Sequence, residues 1–204
     1  IKNLLQGIDL DQFKFKPNNN SKIIVSNRGF LPVYNNQLIL EALKIDCDIL
    51  ESIKVHFLAS GPLFEELETY AKSNIPTKLQ SKIVFFNGVP HEKMPQYLSE
   101  ARIFISCSKS DGTATSLLEA MACGVFPIVS NIPANTEWIV NEENGLVIDL
   151  NDPQALAIAI RRAIEDETLF DKTVKFNRKL VEEKASIDKN MKILIKTLKD
   201  KLCL

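Results

Sequence analysis

Short apolar runs alternate along this chain with longer stretches of helical periodicity, and the alternation repeats six times. Runs at 23–26, 55–59, 83–86, 103–106, 127–129 and 145–148 are rich in Ile, Val and Phe and too short for helices, so they predict strands. They are near-continuously apolar, with little polar alternation, which predicts strands buried on both faces, as in a parallel sheet. Between and after them, stretches 36–44, 64–72, 93–98, 116–123, 136–140 and 153–165 carry a helical pattern, the last with Asp152 as cap and Pro153 in its first turn. The expected fold is therefore α/β: a Rossmann-like, doubly wound parallel sheet with helices on both faces. From about Glu167 the pattern turns helical and charged with no further strand.

The segment 110–130 concentrates chemistry. A helix is expected to begin at Thr115 or Ser116, either of which can cap it, and to stop at Gly124, which can adopt the left-handed conformation that ends helices. Asp111 lies in the loop before this helix. Glu119 sits on its second turn, on the face of Thr115 and Ser116 by i,i+4 and i,i+3 spacing, so both acids can look into one cleft. Gly112 lets a ligand approach the backbone, and the first-turn N–H groups with the helix dipole favour an anion. A ligand combining phosphate with hydroxyls suits that set. Arg28, at the end of the first apolar run, can grip two phosphate oxygens. Each residue also has a plainer reading: Arg28 as a surface charge, Glu119 as half of a structural ion pair, Asp111 as an Asx turn, His91 as a solvated side chain.

Asp111-x7-Glu119 followed by Ala-Met-Ala-Cys-Gly and an apolar Pro-Ile-Val run resembles the E-x7-E signature of family 4 glycosyltransferases, retaining enzymes of GT-B fold. Four further segments resemble that family in its order: 3–17 with Gly7-Ile8-Asp9 and Phe13; 24–34 with Arg28; 58–68 with Gly61-Pro62; and 84–97 with Gly88-Val89. The resemblance implies the donor-binding half of a two-domain GT-B enzyme that transfers a hexose from a nucleoside-diphosphate sugar to a glycan, lipid-linked or small-molecule acceptor. It implies a donor site of Arg28, Asn35, Gly61, Val89, His91, Asp111, Gly112, Thr113, Ala114, Thr115, Ser116 and Glu119. Arg28 would hold the diphosphate and Asp111 the transferred sugar, as catalytic groups, while Glu119 would take ribose hydroxyls and Val89 with its neighbours the base. Three positions depart from the pattern: Asp111 stands for the usual Glu, Asn35 lies near the place of a lysine that normally assists Arg28, and Gln6 precedes Gly7 where Asn is usual. A nucleotide-sugar epimerase and a non-catalytic nucleotide- or protein-binding module remain alternatives on the same fold.

The implied division is an interdomain connection over 1–17, a nucleotide-sugar-binding domain over 18–166 and C-terminal helices over 167–204. The chain is expected to be a piece of a longer protein, with the acceptor site on an N-terminal domain that this sequence does not contain. In the tail, Ile187, Met191, Leu194, Ile195, Leu198 and Leu202 form one stripe, and Lys189, Lys192, Lys196 and Lys199 another. That helix either packs on protein with its lysines in water or makes a peripheral contact with an anionic membrane surface.

Composition narrows the field. A length of 204 residues with 45% apolar content supports one substantial core, and a formal net charge of −1 gives no reason to expect nucleic acid. Cysteines at 47, 107, 123 and 203 form no C-x-x-C pair, so neither a metal site nor a disulfide framework is expected. Asp9-Leu10-Asp11 and Asp46-Cys47-Asp48 spell D-x-D, but neither follows a strand, and no metal or other cofactor is expected. No apolar run reaches the roughly 18 to 20 residues of a membrane span and no signal peptide is visible, which predicts a cytoplasmic location, or one at the inner face of the cytoplasmic membrane.

Overall fold

The computed structural model of the chain describes residues 7–202, with side chains to residue 200. Asn3, Gln6 and Cys203, and the side chain of Leu202, lie outside the described residues.

Six strands form one all-parallel sheet: β1 (Ile23–Ser26), β2 (Lys54–Phe57), β3 (Ile83–Phe85), β4 (Ile103–Ser106), β5 (Phe126–Ser130) and β6 (Leu146–Ile148). Their order is β3-β2-β1-β4-β5-β6. Successive side chains of a strand point to opposite faces, and the core divides accordingly. Ile24, Val55, Phe57, Ile103, Ile105, Phe126 and Ile128 belong to one buried cluster; Val25, Phe104 and Val129 belong to the other. Being lined on both sides is why these strands read as near-continuous apolar runs, with β2, which carries Lys54 and His56, the least so. Pro127 is tolerated inside β5: the Phe126 N–H donates to Arg102 O of the β4 side, so the missing donor faces β6, whose pairing begins one residue later at Ile128.

The helices are α1 (Gln37–Ile45), α2 (Phe64–Asn74), α3 (Thr77–Gln80), α4 (Met94–Glu100), α5 (Thr115–Cys123), α6 (Pro133–Thr136), α7 (Pro153–Glu165), α8 (Glu167–Lys184) and α9 (Ile187–Leu202). α1 packs on α7, while α8 runs back across the sheet to pack on α5. Asp152 caps α7 as expected, its side chain accepting from Ala155 N at 2.9 Å. The helix expected at 136–140 instead occupies Pro133–Thr136. Pro133 presets its first turn, and the Asn144 side chain takes the Val140 N–H at 2.7 Å in place of a further helical bond. Trp138, just past that turn, is buried.

Residues 7–17 lie against this body. Ile8 makes a parallel bridge with Ser186, Phe13 is buried, and the Lys16 N–H donates to Cys123 O at 3.0 Å. Gly124 ends α5 in the left-handed region at φ 82°, as the sequence predicts. In α9, Met191, Ile193, Ile195 and Leu198 are about half exposed. Among the described residues no helix is long and apolar enough to cross a membrane.

Candidate functional site

The chain leaves β1 toward β2 on one side and later returns to place β4 on the other, so the loops after β1 and β4 diverge at their carboxyl ends. An open α/β sheet binds ligands at such a switch point. Arg28 lies in the loop after β1; Asp111 and the start of α5 lie in the loop after β4.

Arg28 is almost buried and spans this crevice. Its Nη2 donates to Asp111 Oδ2 at 2.6 Å and its Nη1 to Ser116 Oγ at 2.7 Å, while its guanidinium carbon sits 4.2 Å from the Tyr34 ring centroid. Asp111 turns its other oxygen to the Gly112 N–H at 2.9 Å. Arg28 Nε and the neighbouring Asn27 Oδ1 are buried without a hydrogen-bond partner. The turn is braced by Asn36, whose amide donates to Arg28 O and Gly29 O at 3.1 and 2.9 Å and whose oxygen accepts from Ser26 Oγ at 3.1 Å. Tyr34 and Asn36 are absent from the sequence-derived site. The signal for Asn36 was an asparagine at a helix start directly after the Arg28 loop.

The expected hydroxyl cap of α5 is not made. Ala114 is the N-cap residue, with no side-chain cap bond, because Ser116 faces Arg28 and Thr115 is exposed to the cleft. The helix start therefore keeps its positive dipole end uncapped by a side chain, a setting that favours an anion.

The second cluster centres on Glu119, buried on the second turn of α5. Its Oε1 lies 2.8 Å from His91 Nε2, and the His91 ring, more than half exposed, lies 5.6 Å from the Phe13 ring. Burial pushes the Glu119 carboxyl above its ordinary range, against the bond to His91, the His91 charge and the Arg28 charge, which pull it down. A cleft of about 390 Å³ opens here, with Thr113, Thr115 and Glu119 on one wall, Asp9 and Phe13 on another, and His91 at its edge. The two acids thus sit on either side of the α5 start: Glu119 lines the cleft, whereas Asp111 is drawn to Arg28.

The remaining predicted positions spread out. Gly112 is open, with nothing within 4 Å of where a Cβ would stand. Val89 is half-buried against the α4–α5 cluster, and Asn35 adopts the left-handed conformation, φ 49°, at the end of the turn after Arg28. At Gly61, with φ 151°, a Cβ would meet Phe30 O at 2.7 Å. Its requirement is backbone packing. Neither D-x-D triplet joins a metal-binding cluster, since among the described residues no group of three or more His, Cys, Asp or Glu could hold an ion. Asp9 instead accepts from the N–H groups of Asp11 and Gln12, and Asp46 pairs with Arg161.

With this geometry in place, comparison with known proteins decides the family. The profile of the family described as Glycosyl transferases group 1 matches residues 7–184. The chain belongs to that family. Its fold matches that of the Anabaena Alr3699/HepE structure in complex with UDP and glucose, with a TM-score of 0.82 at 16% identity, covering 98% of this chain and 57% of that one. This is the C-terminal, Rossmann-like domain of the GT-B architecture. Among curated relatives, the putative glycosyltransferase YtcC of Bacillus subtilis (strain 168) is 37% identical over 102 residues, 49% of this chain and 25% of that protein. The phosphatidylinositol N-acetylglucosaminyltransferase GPI3 subunit of Saccharomyces cerevisiae (strain YJM789) is 24% identical over 172 residues, 81% of this chain and 37% of that protein. The group 1 chain thus spans between a quarter and two fifths of the length of these two relatives.

Proposed function

We propose that this chain is the nucleotide-sugar-binding half of a retaining glycosyltransferase resembling family 4, acting without a metal on the cytoplasmic side. The donor is a nucleoside-diphosphate hexose; the acceptor, a glycan, a lipid-linked sugar or a small molecule, is held by a further N-terminal domain. In this division residues 1–17 connect the two domains, 18–166 bind the donor and 167–204 form the closing helices. The apolar face of α9 then packs on protein, or meets an anionic membrane surface.

The observation that carries this reading is Arg28, held at the switch point beside an uncapped helix start and flanked by two carboxylates. In the reaction, the bond from the anomeric carbon to the diphosphate oxygen breaks, its electron pair leaving with the diphosphate. The acceptor hydroxyl oxygen bonds the same carbon and passes its proton to the departing diphosphate oxygen. Arg28 and the α5 start stabilise the charge that builds on the diphosphate, preorganised for it before the step begins. For this, Arg28 exchanges Asp111 for a phosphate oxygen, which frees Asp111 for hydroxyls of the transferred sugar. Glu119, in the cleft with His91, accepts from the ribose. The structural relative held UDP and glucose, which supports the donor class.

Glu119→Gln tests the ribose assignment. Replacing a carboxylate acceptor by an amide should weaken UDP or GDP and the matching uncharged nucleoside alike, by about 1 kcal/mol. The 2′-deoxy ligand should hardly sense the change. Should calorimetry show all affinities intact and only a lower melting temperature, Glu119 is an ion-pair partner and the assignment fails. Donor binding should also persist in excess EDTA; an affinity that collapses on chelation would contradict the metal-free reading.

A further inference from the structure

His91 is fixed where it meets Glu119. Pro90, extended at φ −56° and ψ 140°, delivers it to the first position of a short 3-10 turn, His91–Lys93, and the Phe13 ring backs its imidazole. The contact joins the His91 turn to α5 across 28 residues of sequence and pairs a ring that is 62% exposed with a carboxylate that is 7% exposed. An ionised carboxylate only accepts, so the proton between them belongs to His91 Nε2, whether the imidazole is neutral or charged.

We infer that His91 is a positioning residue of the donor site: it holds Glu119 Oε1 so that Oε2 is presented to the ribose hydroxyls. The inference rests on the ribose assignment of Glu119. Its physical content is that a buried carboxylate left alone is driven toward its protonated form, and a protonated acid has a proton where the ribose needs an acceptor. The His91 donor opposes this. The other charged groups around the pair are few. Arg28 pulls in the same direction, but is engaged by Asp111. Asp9 faces Glu119 across the cleft, Glu92 and Lys93 flank His91 on its own turn, and Cys123 lies behind on α5, its thiol pushed up to about 12 by burial and by the Glu119 charge.

The consequence is directional. Ionised Glu119 binds ribose, so affinity falls as pH drops through the Glu119 titration. Removing His91 moves that titration, and the loss, to higher pH.

The test measures UDP and GDP, each against its 2′,3′-dideoxy counterpart, by calorimetry from about pH 5 to about pH 9. The ratio of ribose to dideoxy affinity cancels the titration of the phosphates. The Glu119 carboxyl is followed in parallel by carbon NMR without ligand. In His91→Phe, which keeps a ring on Phe13, the ratio should fall by up to about fivefold at a pH where the wild type still holds it. The carboxyl midpoint should rise with it. His91→Gln, which returns an N–H donor, should restore both. Equal carboxyl midpoints in wild type and His91→Phe would overturn the inference while leaving the ribose assignment standing. A ratio unchanged in Glu119→Gln at every pH would overturn the ribose assignment, and the role of His91 with it.

Discussion

Arg28→Ala is expected to lower affinity for UDP or GDP by about 1.5 to 3 kcal/mol, roughly 10- to 150-fold, and to leave the uncharged nucleoside almost unaffected. The size follows from what the side chain can offer. Its two Nη groups already hold an oxygen each, on Asp111 and Ser116, in geometry that two diphosphate oxygens can replace. Truncation also leaves Asp111 without its cation beside the incoming anion, so repulsion adds to the lost bonds. Arg28→Lys should fall between the two, since an ammonium keeps the charge but cannot fork. Calorimetric titrations of the diphosphate and the nucleoside on the same preparations decide it. Equal losses for both ligands would mean that Arg28 shapes the crevice and does not contact the diphosphate.

Arg102→Ala should cost about 3 kcal/mol of stability, which for a chain this long lowers the melting temperature by about 6 to 12 °C. Arg102 is 4% exposed, an uncommon place for a guanidinium. It donates to Asn19 O, to Ala163 O at 3.3 Å and to Ile164 O at 3.1 Å, pairs with Glu167 at 3.1 Å, and lies 4.4 Å over the Phe170 ring. It thereby satisfies carbonyls where α7 ends and ties the start of β4 to the α7–α8 corner. Removing it strands several buried acceptors at once. Thermal unfolding should show the drop with UDP or GDP affinity intact, since Arg102 lies at the opposite end of β4 from the crevice. A wild-type melting temperature would show that water serves these carbonyls equally well.

The strands and most helices were legible because burial on both faces leaves a coarse mark: six apolar runs, each too short for anything but a strand. The family resemblance was legible for a different reason, in that Asp111, Glu119 and Arg28 keep their spacing to glycines and strand ends. What escaped was decided by contacts across the sequence. Nothing near Ser116 says that Arg28, 88 residues away, will claim its hydroxyl and leave Ala114 at the helix cap. Nothing near Gly61 says that Phe30 will press on it. The pairing of His91 with Glu119 likewise joins two features that were visible singly. The helix misplaced to 136–140 lost to a local competitor, the Asn144 side chain, of the kind that periodicity does not register.

Arg178 in α8 donates to Phe13 O and to Ala122 O, both at 2.9 Å, and so fastens the 7–13 wall of the cleft to the same helix that carries Glu119. The Ile8–Ser186 bridge and the Gly7 backbone, pressed against Ile187, tie the same wall to the junction between α8 and α9. The two walls of the cleft therefore share one tie, and loosening Arg178 would open the cup in which Glu119 sits.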